Sequence, residues 1–182
     1  MRAPRLVLAG TAAAVLLIGW SPVVLGQEDI VDGPRYIYGE AEGYLHANED
    51  NPLGCDIGMT SEVTAYGESP QLGAVTISQV NCYVPTDTLD NVQLGTITYT
   101  FESGDTLAGT GSGDCIPDDV PEPGGFYSCW GTTIITGGTG VFEDASGEIH
   151  SIAYTFNAQS DHPDAAPGDV PATMLFEGLV EY

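Results

Sequence analysis

The chain of 182 residues carries 26 acidic residues against three basic ones, a formal net charge of −23 at pH 7. All three cations are arginines, which excludes nucleic acid and anionic membranes as partners, because both need Lys or Arg to neutralise phosphate. Such charge reads as a solvated acidic shell before it reads as a site.

Residues 1–26 have the layout of a secretory signal. Arg2 and Arg5 precede the apolar run Leu6–Gly19, Trp20-Ser21-Pro22 breaks it, and Gly26 offers a small residue before a cut at Gln27. The run is short for a membrane span, so cleavage is expected in preference to an uncleaved anchor. Residues 27–182 then form one secreted domain, free of the membrane, in which Arg35 is the remaining arginine.

Beyond residue 26 no window holds a helical apolar period, and strand formers dominate between Gly-rich turns. Strands are expected at 35–46, 61–68 and 73–84. "GTITYTFES" (95–103) alternates cleanly, with Ile97, Tyr99 and Phe101 on one face. Further strands are expected at 105–113 and 125–136. In "GEIHSIAYTF" (147–156) the large residues His150, Ile152, Tyr154 and Phe156 share a face with Glu148, which is taken as the lumen side. "TMLFEGLVEY" (173–182) sets Met174, Phe176, Val180 and Tyr182 against Leu175, Glu177, Leu179 and Glu181. Eight strands with longer loops near 47–60, 114–124 and 157–171 predict an all-β, eight-stranded antiparallel barrel, whose closure removes exposed edges.

Cys55, Cys82, Cys115 and Cys129 are an even set behind a signal sequence, which predicts two disulfides and allows three pairings. The favoured pairs are Cys55–Cys82 and Cys115–Cys129, the second closing a Pro/Gly-rich excursion that gains from a staple.

The stretch "ITGGTGVFEDASG" (135–147) looks at first like a phosphate loop. It has no lysine and no following helix, and Glu143 and Asp144 stand where an anion would sit. A hairpin explains it better. Gly137-Gly138 would make the tight turn, Gly140 would permit a bulge, Phe142 would drop into the core, and Ala145 and Gly147 would leave room for a neighbouring strand.

This stretch, with "TMLFEGLVEY" and "GTITYTFESGDTLAGTGSG", resembles the allene oxide cyclase-like and dirigent-like family of eight-stranded barrels over roughly residues 70 to 182. The resemblance implies an apolar lumen open at one end. It transfers no catalytic residue, because the matched motif is structural. It also leaves a homo-oligomer open, although no isolated apolar stripe is visible in the sequence.

Tyr99, Phe101, His150, Tyr154 and Phe176 are the candidate lumen residues. His150 among aromatics is a weak candidate for a general acid or base, weighed against a rim histidine satisfied by solvent or Glu148. Arg35 is a weak candidate for anchoring an anionic head, weighed against neutralisation by a carboxylate. "ANEDNPLGCD" and "SDHPDAAPGD", near His46 and His162, offer oxygen ligands without the spacing of a calcium loop, so no metal and no cofactor is expected. The expected function is binding of a small hydrophobic molecule in the lumen. The alternative is a cofactor-independent cyclase of isomerase or lyase type acting by confinement. An acidic surface or matrix protein is a third reading.

Overall fold

The computed structural model describes residues 33–48, 55, 59–84, 90–117, 126–156 and 158–182, so the expected signal segment 1–26, most of 49–58 and all of 118–125 lie outside the described residues. Residues 33–182 form one compact unit. Eight strands run in chain order: β1 (Arg35–Asn48), β2 (Met59–Ser69), β3 (Gly73–Val84), β4 (Asp90–Phe101), β5 (Thr106–Pro117), β6 (Phe126–Gly138), β7 (Ser146–Phe156) and β8 (Val170–Glu181). Each pairs antiparallel with the next, and β1 pairs with β8, which closes the barrel. The expected fold class is therefore the observed one. β4 begins five residues before the expected 95, because register shifts on both of its sides absorb the Leu94-Gly95-Thr96 region.

Side chains alternate in and out along each strand, so the inward set decides what fills the lumen. At one end that set is large. Ile37, Ile77, Ile97, Tyr99, Phe101, Leu107, Ile135, Ile149, Phe176 and Val180 are all buried there. Tyr99 lies 5.4 Å from Phe176 and Phe101 lies 5.3 Å from Phe142, in tilted pairs that favour edge-to-face contact.

The β6–β7 connection closes this end. It differs from the expected two-residue turn at Gly137-Gly138, since β6 continues through both glycines and the reversal occurs over 139–145. A 3-10 turn at Gly140–Phe142 carries the Phe142 ring to 1% exposure, 4.5 Å from Tyr182. The reason is steric. Thr139 N–H donates to Thr106 O, which holds the chain against β5 beyond Gly138. Gly140 then turns with φ +62°, where an added Cβ would fall 1.8 Å from Asp105 Oδ1. Only glycine fits both constraints.

Both disulfides lie at the opposite end and have the expected pairings. Cys115 and Cys129 face each other across β5 and β6. Cys55, in the β1–β2 connection, joins Cys82 near the end of β3.

Candidate functional site

Towards the disulfide end the inward residues shrink. β8 runs Val180, Phe176, Met174, Ala172, and β7 runs Ile149, Ser151, Ala153, Thr155. β6 runs Ile135, Thr133, Gly131, Cys129, and β5 runs Leu107, Gly109, Gly111, Gly113, Cys115. A closed barrel of fixed strand number cannot contract around small side chains, so this taper leaves a cavity. Its volume is about 250 Å³, and Leu45, Val63, Ala65, Ala153, Ala172 and Met174 give it an aliphatic wall.

A polar ladder interrupts that wall on β2 and β3. Gln79 and Asn81 follow Val75 and Ile77 on the inward face of β3 and are 7% and 4% exposed. Gln79 Nε2 donates to Asn81 Oδ1 at 2.6 Å, and Asn81 Nδ2 donates to Ser61 Oγ at 3.4 Å. Gln79 Oε1 is buried and accepts no hydrogen bond. Asp114 also borders the cavity, but it pairs across the sheet with the 43%-exposed Trp130, on the parity opposite to the buried Cys115.

The residues expected in the lumen separate into two groups. Tyr99, Phe101 and Phe176 point inward as expected, yet they are buried in the packed half below the cavity. His150 does not enter the lumen. It lies on the outer wall in the middle of β7, 3.4 Å from Glu148 Oε1 and 3.1 Å from Thr132 Oγ1, and not at the rim. Tyr154 shares its outward parity and is half-buried. The assignment of this face fails because the large residues of β7 are on the outside. There Ile152 is 46% exposed and forms a row with Trp130 on β6 and Leu175 on β8. The outer surface thus carries an apolar row that the sequence reading did not anticipate. Nearby, the Tyr36 hydroxyl donates to the Glu177 carboxylate, and that bond holds the phenol above its ordinary range. Arg35 is exposed at the packed end, with its guanidinium 4.9 Å from the Tyr182 ring centre, so it does not converge on the cavity.

The segment "SDHPDAAPGD" serves the fold. Asp169, 2% exposed, contacts His46 Nδ1 through Oδ1 at 2.6 Å and accepts from Ala166 N–H through Oδ2 at 2.7 Å. His162 stacks on Tyr66 with ring centres 5.1 Å apart and leans on Tyr44. These contacts pin the β7–β8 connection to the outside of β1 and β2. Most of the other oxygen-rich segment, 47–56, lies outside the described residues.

Below the cavity, Tyr99 and Thr133 are fully buried and neither hydroxyl closes a hydrogen bond of regular geometry. Burial pushes the Tyr99 phenol well above its ordinary range, and the nearby Thr133 hydroxyl opposes this only in part. The fold keeps this phenol neutral while the unfolded chain ionises above pH 10, so stability falls as pH rises past 10. Because the hydroxyl closes no regular hydrogen bond, Tyr99→Phe is expected to cost nothing at pH 7. Above pH 10 it should remove a loss of about 1.4 kcal/mol per pH unit, read by urea melts at pH 7 and at two pH values above 10.

The chain matches no protein-family model and no curated protein.

Proposed function

We propose that the protein is a secreted barrel that binds a small hydrophobic molecule in the open half of its lumen. The observation that carries this reading is the cavity of about 250 Å³ with its aliphatic wall. A smaller void, of about 150 Å³, is enough to bind benzene when its lining is apolar. The surrounding sheet is closed and stapled at the same end by both disulfides, so the site is held open without a ligand. Two disulfides also fit an oxidising, extracellular location.

Binding without chemistry is the function favoured over the cyclase alternative. His150 and Arg35 stand away from the cavity, and its inward polar side chains are amides and hydroxyls that do not exchange protons near neutral pH. The closed eight-stranded barrel with Phe142 buried at its end supports placing the chain with the allene oxide cyclase-like and dirigent-like barrels it resembles.

Native mass spectrometry of the protein purified from its source tests the reading. A non-covalent small-molecule adduct is expected, and Ala153→Phe, which places a ring in the cavity, should lose it while the melting temperature holds or rises. Wild-type protein that carries no adduct and takes up no n-octane would contradict it.

A further inference from the structure

We infer that the apolar face on the outside of β6, β7, β8 and β1 joins two copies of this chain, across a two-fold axis that runs along the seam between β7 and β8. This face is on the outer wall, so it is independent of the lumen and its ligand.

The strand registers set the outward side chains of these four strands in rows. One row runs Trp130, Ile152, Leu175 and ends at Glu40 on β1. The next runs Thr132, His150, Glu177, Tyr38, and the third runs Ile134, Glu148, Leu179, Tyr36. Two largely apolar rows thus flank a polar one. Their six large apolar side chains are each between 43% and 56% exposed. At about 200 Å² for a whole large side chain, they show roughly 600 Å², the upper end for the largest apolar patch on a monomer. The polar row between them raises the face to about 800 Å², which is what each partner contributes to a stable interface of standard size.

The carboxylates in the middle of this face already have partners. Glu148 lies 3.4 Å from His150, and Glu177 accepts the Tyr36 hydroxyl. Carboxylates satisfied in this way enter an interface at lower cost than bare ones. Further round the barrel, Glu40 and Glu42 on β1 and Glu68 on β2 are exposed, and there two acidic copies repel.

The arrangement is complementary to itself, which selects a second copy over a foreign partner. A half-turn about the seam sets Ile152 on Leu175 of the second copy and His150 on Glu177 of the second copy. Each contact is made twice, as an isologous interface requires. The same rotation sets Ile134 on Tyr36 and Thr132 on Tyr38 of the second copy. Glu148 falls beside Leu179, but its carboxylate turns to His150 and remains in the polar row. Trp130 meets the Glu40 end of its row at the rim, where charge stays in water. A barrel wall curves away from a flat contact, so the flanking strands need longer side chains than the seam. The seam carries Ile152 and Leu175, and the flanks carry Trp130, Tyr36 and Tyr38.

The test uses the purified, disulfide-intact protein at pH 7 and physiological salt. Sedimentation velocity across about 1 to 100 μM is expected to show a monomer–dimer equilibrium with a Kd in the micromolar range or tighter. Ile152→Glu and Leu175→Glu are each expected to weaken the dimer at least about 100-fold. Their circular dichroism melts should match the wild type, because both side chains are half exposed. His150→Glu sets like charges against each other across the axis and is expected to weaken the dimer about tenfold. Combining His150→Glu with Glu177→His restores opposite partners and is expected to recover most of that loss. Wild-type protein that stays monomeric at the highest concentration overturns the inference. A folded Ile152→Glu or Leu175→Glu protein that dimerises like the wild type also overturns it, because another surface then joins the copies. A combined variant that dimerises no better than His150→Glu contradicts the axis, and a trimer contradicts the isologous contact.

Discussion

A Phe142→Ala variant is expected to lose about 3–5 kcal/mol of folding stability, the range for deleting a buried aromatic ring. Phe142 is 1% exposed and touches rings from two other parts of the barrel, Phe101 at the end of β4 and Tyr182 at the C-terminus. Its backbone is fixed by the 3-10 turn and by Gly140, so the loop cannot follow the retreating side chain and fill the void. Guanidinium denaturation monitored by tryptophan fluorescence and circular dichroism measures the loss. A cost below about 1 kcal/mol would show that the ring does not seal the packed end.

Removal of the Cys55–Cys82 disulfide by a double alanine substitution is expected to cost about 3.5 kcal/mol, from the entropy of opening a loop of this length in the unfolded chain. The two cysteines are 27 residues apart in sequence, against 14 for Cys115–Cys129, so this bridge is the more stabilising of the two on chain-entropy grounds. It also ties the β1–β2 connection to the end of β3, next to Asn81. For a domain of this size the melting temperature should fall by roughly 7–14 °C. Differential scanning calorimetry of the double variant beside the wild type checks this. An equal melting temperature would mean that the β1–β2 connection is held by other contacts.

Much of the barrel could be read from the residues because its signals are local. Alternation in "GTITYTFES" places Ile97, Tyr99 and Phe101 inward, and alternation in "TMLFEGLVEY" does the same for Met174, Phe176 and Val180. The Cys115–Cys129 pair is legible in the Pro/Gly-rich excursion that it closes, and Cys55–Cys82 is the pair that then remains. β7 shows where local reasoning ends. The rule that a strand's larger apolar face is buried turns His150 and Ile152 inward, but this barrel fills only half its lumen and keeps Ser151 and Ala153 on the inside of the other half. Their size is what makes the cavity, so the face that matters looks unremarkable in the sequence. A signal was present on β3, where Gln79 and Asn81 continue the parity of Val75 and Ile77, since polar residues at core positions are uncommon without a partner. The contact of His46 with Asp169 spans 123 residues and had no local trace.

The most direct test of the account is the location of a bound hydrocarbon. Methyl-labelled protein titrated with n-octane should show shift changes at Val63, Ala65, Ala153, Ala172 and Met174, which line the cavity. The outer-face methyls of Ile134, Ile152, Leu175 and Leu179 should stay where they are. Changes confined to the outer set, or no change at any methyl, would contradict a binding site inside the barrel.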